Sequence, residues 1–419
     1  MTSPVWHPFT QHALQPQAIE IARGEGAWLE ATNGARLLDL ISSWWVVTHG
    51  HRHPRIVQAI KDQADALDQV IFAGFTHRPA EELARRLLAR VGGELAHVFY
   101  SDSGSTAVEV ALKMALGFWR HRGEKRTRII ALEHAYHGDT IGTMSTGARG
   151  VFNAAYEPLL FDVTRLPFPH MDAESRTLAA LEEACREGDV AALIVEPLLL
   201  GAGGMLTYAP QTLRAMQAIC KKNDALFIAD EVMTGFGRTG TFTACGQAGV
   251  APDIMCLAKG ITGGSMPLAV TLSSKAIFDA HYSTDRSKTF FHSSSYTANP
   301  IACAAAVANL DVWDEEPVQR RIAAITAWQS EFIASFRDDA RFANGRTCGT
   351  ISAIDLVVED QGYLAGIGPK LYDFFIARGL LLRPLGNTIY IMPPYCITRE
   401  ELAGAHAAIR DAADMSGAR

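Results

Sequence analysis

Short apolar runs alternate with stretches of helical periodicity through the middle of the chain. Runs at 97–100, 128–132, 191–195, 226–229, 254–257 and 268–272 predict strands, and the segments 105–122, 176–186 and 210–223 predict helices. The runs are continuous rather than alternating, as in strands buried on both faces. They predict an α/β fold with a mostly parallel sheet wrapped by helices. Beyond Asn309 the pattern changes. A long helix is expected over 309–338, short strands near 351–358, 380–383 and 388–392, and an Ala-rich helix from Arg399 with Thr398 as N-cap. This predicts a small α+β domain from 1–50 and 310–419 beside a large domain over 51–309.

Composition narrows the picture. At 419 residues the chain exceeds the size at which one core usually stops growing, so two domains are expected. A net charge of -7 and the lack of any basic stripe argue against nucleic acid as a partner. The seven cysteines are odd in number and form no C-x-x-C pair, so they read as reduced thiols, with neither a disulfide framework nor a zinc site. The most apolar stretch, 190–206, is interrupted by Glu196, Pro197 and glycines, so no membrane span is expected. The first residues show no basic region followed by an apolar run, and a cytoplasmic enzyme is the expectation.

Four motifs carry candidate chemistry. Ser101-Asp102-Ser103-Gly104-Ser105-Thr106 follows a strand and opens a helix; Gly104 allows close approach, and the Ser105 and Thr106 hydroxyls stand beside free N–H groups. That suits a phosphate, or is a plain serine cap. Asp230 and Glu231 end an apolar strand, where ligands bind in open α/β sheets. Such an Asp can pair with a protonated pyridine nitrogen, or be a helix cap or surface ion pair. Lys259 follows another apolar strand; desolvation there would lower its pKa and make the amine nucleophilic, whereas a surface lysine would simply snorkel. Gly263-Gly264 beyond it predicts close approach by another backbone or a ligand. Tyr136, in His134-Ala135-Tyr136-His137-Gly138-Asp139, offers a face to stack on a flat ring. No third ligand accompanies His134 and His137, so no metal is expected; His49, His51 and His53 read as a turn before Pro54.

The segments SDSGSTAVE, HAYHGDTIG, EPLLLGAGGM, ADEVMTGFGRTG, LAKGITGG and TANPIACAAA closely resemble the class III aminotransferases of the fold-type-I pyridoxal-phosphate family, over nearly the whole chain. The resemblance implies pyridoxal 5'-phosphate as cofactor and a seven-stranded, mainly parallel sheet in the large domain. It also implies a small domain from both chain ends and a homodimer with a shared active site. Lys259 would carry the cofactor and move protons, Asp230 would face the ring nitrogen, and Tyr136 would stack near the ring. Gly104 and Ser105 would hold the phosphate, completed by Ser294 and Ser295 of the partner subunit.

Within that family, Trp6-His7-Pro8-Phe9-Thr10, the pair Trp44-Trp45 and Arg383-Pro384-Leu385-Gly386 resemble the branch acting on 8-amino-7-oxononanoate in biotin biosynthesis, generally with S-adenosylmethionine as amino donor and in some relatives lysine. Phe9, Trp44, Trp45, Tyr136, Ser293, Arg383 and Tyr390 would then meet substrate. Large apolar faces bury methylenes, and a guanidinium fork takes a carboxylate. The pair reads as strand residues pointing opposite ways, so that one lines the pocket, or both are core. Phe9 stands where many members carry a tyrosine, and Ser293-Ser294-Ser295 where some have Gly-Pro-Thr. Relatives acting on β-alanine or ornithine, and an aminomutase on the same scaffold, are the alternatives.

Overall fold

The computed structural model describes residues 3–15, 17–170 and 173–416. Seven strands form the large sheet: β1 (Leu95–Ser101), β2 (Arg128–Leu132), β3 (Thr164–Leu166), β4 (Val190–Val195), β5 (Leu226–Asp230), β6 (Ile254–Leu257) and β7 (Ala269–Ser274). Their spatial order is β1-β7-β6-β5-β4-β2-β3, and β7 runs antiparallel to both its neighbours. Every residue of β4 through β7 is buried, as continuous apolar runs require. The seventh strand, β3, is a three-residue edge, too short to leave a periodic signal.

The helix Gly104–His121 turns Ala107, Val108, Ala111 and Ala115 onto the sheet. These small side chains let it lie so close that the Thr271 hydroxyl of β7 donates to the Ala107 carbonyl at 2.7 Å. A second core joins the chain ends: Leu38 and Leu40 pack with Ile389, Ile391 and Leu402. There Arg36–Asp39 pairs in parallel with Leu380–Leu381, and Phe342–Cys348, Ile351–Leu356 and Thr388–Ile391 form an antiparallel sheet. Thr398 caps the helix Arg399–Ala412 in a capping box with Glu401.

The single helix expected over 309–338 is two, Pro300–Glu315 and Val318–Ala334. Pro317 has no N–H to donate and holds Glu316 extended (φ -108°, ψ 158°), which breaks the run. The first helix starts at an Asn299 cap and packs on the helices Pro54–Ala66 and Arg78–Val91, so it crosses the expected 309/310 boundary. Among the described residues no helix is long and apolar enough to cross a membrane.

Candidate active site

The carboxyl ends of β1, β2, β4, β5 and β6 and the start of β7 lie along one edge of the sheet, because β7 is reversed. The loops there enclose a cavity of about 430 Å³. Lys259, two residues past β6, lines it from a half-buried position. Its φ of 46° is a left-handed conformation that costs a non-glycine residue about 1–3 kcal/mol, held by packing around it. Gly264 makes that packing possible. A Cβ there would stand 2.7 Å from the Val47 backbone, so the expected close approach is to the segment that carries Trp45. The Lys259 ammonium lies 5.2 Å from the centre of the Trp45 ring. Burial lowers the lysine pKa; the nearby carboxylates of Asp230 and Glu196 oppose this, and burial dominates.

The two carboxylates at the end of β5 part company. Asp230 lines the cavity, accepting from His137 Nδ1 at 2.7 Å and from the Val232 N–H at 3.1 Å. Glu231 points the other way and is spent on structure, accepting from Thr234 Oγ1 (2.6 Å) and the Ala244 and Cys245 N–H groups. At the end of β1, Gly104 and Ser105 line the cavity. A Cβ on Gly104 would stand 2.5 Å from Val232 Cγ1, so glycine is required there. Ser103 is the cap and forms a capping box with Thr106. The Thr106 hydroxyl is therefore consumed by Ser103 and does not face the cavity as expected. Ser105 Oγ accepts the Asp139 N–H at 3.1 Å, joining this loop to the Tyr136 loop.

The matching family model is aminotransferase class-III, over residues 9–413. The chain belongs to the class III aminotransferases. It is 48% identical to the adenosylmethionine-8-amino-7-oxononanoate aminotransferase of Synechococcus elongatus, over 98% of each chain. The solved enzyme of that name from Methanocaldococcus jannaschii superposes with a TM-score of 0.93 at 32% identity, over 99% of this chain and 97% of that one. An amine transaminase from an uncultivated Pseudomonas species, solved in its PLP-bound form, also reaches 0.93, at 34% identity over 99% of each chain.

The tryptophan pair is not on a strand. Ser42–Trp45 is a kinked helical turn with positive φ at Ser42, Ser43 and Trp45. The side chains still diverge. Trp45 is buried and lines the Lys259 cavity, whereas Trp44 is exposed. Tyr390 does not line this cavity; it is buried behind Trp45 and its hydroxyl accepts from the indole N–H at 3.0 Å. Trp44 meets two other expected residues. The Arg383 guanidinium lies 5.3 Å from its ring centre, and the Phe9 ring 5.5 Å away. Arg383 also donates to the Phe9 carbonyl at 2.8 Å. Phe152, which links Phe9 (6.0 Å) to Tyr136 (6.4 Å), carried no sequence signal.

Ser294 donates to Asp102, at the cavity wall of its own chain, while Ser293 and Ser295 are exposed and the Ser295 carbonyl accepts from Gln69. His49, His51 and His53 go to separate partners, Asn309, Asp39 and Glu316. Two cavity residues escaped the sequence reading. The sequence marks His137 only by its spacing from His134, as a candidate metal ligand. Glu196 directly follows an all-apolar strand, the same signal that marked Asp230, but stood out only as an interruption of apolar sequence. Burial pushes its carboxyl up to about 7, with His137 and the N–H groups of Tyr136 and Gly201 pulling against it and Asp230 adding to it.

Proposed function

We propose that this chain transfers an amino group to the C7 ketone of 8-amino-7-oxononanoate, giving 7,8-diaminononanoate, with pyridoxal 5'-phosphate as cofactor. S-adenosylmethionine is the donor, with lysine the alternative. The observation that carries the reading is one cavity holding a desolvated lysine amine and a buried carboxylate, with Arg383 and Phe9 gathered on Trp44, the chain neighbour of its Trp45 wall. The names of the relatives at 48% and 32% identity support the acceptor.

The residues fit the cofactor. The helix that opens at Gly104 leaves N–H groups outside its own bonding pattern, which favours a phosphate beside Gly104 and Ser105. His137 orients the Asp230 carboxylate, which suits a protonated ring nitrogen. When bound, pyridoxal phosphate supplies an electrophilic carbonyl and a ring that accepts the electron pair left by a broken C–H bond. Lys259 would hold it covalently, and its amine, whose pKa burial lowers, would take the proton from the donor α-carbon and return it. Tyr136 and Trp45 wall the cavity. Trp44, Phe9 and Ser293 meet the substrate chain, Arg383 its carboxylate, and Tyr390 holds Trp45 in place. The net exchange moves NH₂ to the acceptor and the ketone oxygen to the donor, so no oxidant enters.

A homodimer with a shared site is part of this reading. Ile71, Phe75, Phe291 and Tyr296 are exposed apolar and aromatic side chains beside Gln69 and Ser295, an arrangement that suits a covered surface. Ser294 and Ser295 would reach the partner's phosphate site. The deciding assay mixes the purified protein, pyridoxal phosphate and 8-amino-7-oxononanoate with S-adenosylmethionine or lysine, and follows the diamine. Product with S-adenosylmethionine is expected. Product with lysine alone would correct the donor, and none with either would remove the reading.

A further inference from the structure

Glu196 uses both carboxylate oxygens as a joint between two loops. Oε1 accepts the Tyr136 N–H and Oε2 accepts the Gly201 N–H, each at 2.9 Å. The Tyr208 hydroxyl donates to the Glu196 carbonyl at 2.8 Å, so the backbone behind the carboxylate is fixed as well. The same loops touch again at Gly203, where a Cβ would stand 2.2 Å from the His134 carbonyl oxygen. On its other side the turn presses on the cavity wall. A Cβ on Gly201 would lie 3.2 Å from Trp45 Cζ3 and 2.9 Å from Met233 Cε.

The carboxylate therefore sits where the two aromatic walls of the Lys259 cavity are tied together, Tyr136 directly and Trp45 through Gly201. We propose that Glu196 is a positioning residue that sets the gap between Tyr136 and Trp45, and through it the affinity for the acceptor's aliphatic chain. This rests on the proposed function, with the part of the acceptor nearest Lys259 held between the Tyr136 and Trp45 walls of the cavity. Above about pH 7, where Glu196 is ionised, a charged acceptor binding one N–H at each oxygen is strong and directional. Glutamine in its place keeps one acceptor and turns an NH₂ group toward an N–H, so the joint loosens on one side while the volume is unchanged.

The test compares wild-type and Glu196→Gln holoenzymes in steady-state turnover at about pH 8.5, where the wild-type carboxyl is ionised, together with calorimetric binding of nonanoate, a chain that cannot react. Loss of one charge-assisted bond should raise KM for 8-amino-7-oxononanoate and Kd for nonanoate about tenfold, with kcat changing less than about threefold. Unchanged KM and Kd, or a fall in kcat alone, would overturn the proposal. If the glutamine variant does not fold, Gly201→Ala decides. It leaves the carboxylate intact and displaces the turn against Trp45, so a similar rise supports the joint and wild-type values overturn it. Failure of the functional reading would show separately, as a wild-type enzyme that makes no diamine, while nonanoate binding still reports on the joint.

Discussion

The floor of the site and the cluster proposed as its mouth are built in different ways. The floor is a row of strand ends: Lys259, Asp230 and Glu196 each stand at the close of an apolar strand of one sheet, Asp230 and Glu196 buried and Lys259 half-buried. Hydrogen bonding along the ladders fixes their relative positions, Asp230 standing opposite Cys256 in register. The proposed mouth brings Phe9 and Trp44, from the start of the chain, to Arg383 near its end, through ring contacts and one hydrogen bond at the surface. A floor fixed by backbone registry suits chemistry that must not vary. A mouth held by exposed side chains can change with substrate at little cost to the fold.

The largest expected effect lies on the floor. Lys259→Ala should lower turnover by about 10³-fold or more, since covalent attachment and proton transfer are lost together, while the fold is kept. Diamine formation measures it, and normal turnover would end the assignment of the floor. At the mouth, Arg383→Ala should raise KM for the acceptor about 10- to 100-fold with little change in kcat, the loss of one charge-assisted pair. A fall in kcat without a change in KM would move Arg383 from the mouth into the chemistry.

The smallest effect concerns pH. Glu196 holds its proton up to about pH 7 in the fold against an ordinary value of 4.5. Between those values the unfolded chain has released a proton that the folded chain keeps. The group's contribution to stability therefore falls as pH rises through this window and levels off above it. Thermal melting of wild type and Glu196→Gln from pH 4 to 8 should show the variant gaining relative stability across that range. A flat difference would mean that Glu196 is ionised in the fold, held by its two N–H donors.

The floor was largely legible because its residues are local. An apolar run ending in a lysine or aspartate names a strand end, and parallel strands bring such ends to one edge. Glu196 carries the same mark, yet glycines and Pro197 follow it, so it read as a break in apolar sequence rather than as a strand end. The mouth was legible only through the family resemblance, since nothing local links residue 9 to residue 383. Phe152 and the role of Tyr390 behind Trp45 were legible in neither way.

By itself the sequence determined six of the seven strands of the large sheet, the start of the helix at Gly104 and of the last helix at Arg399, and that Asp230 and Lys259 stand at strand ends. Periodicity and capping depend on neighbours within a few positions, and that information is complete in the chain. Tertiary structure decided the reversal of β7 and the division of labour between Asp230 and Glu231. It also decided which tryptophan faces the lysine. These depend on which distant surfaces meet: Gly264 against Val47, Gly201 against Trp45, Tyr390 against the indole N–H. Close packing resolves such choices only when every partner is in place.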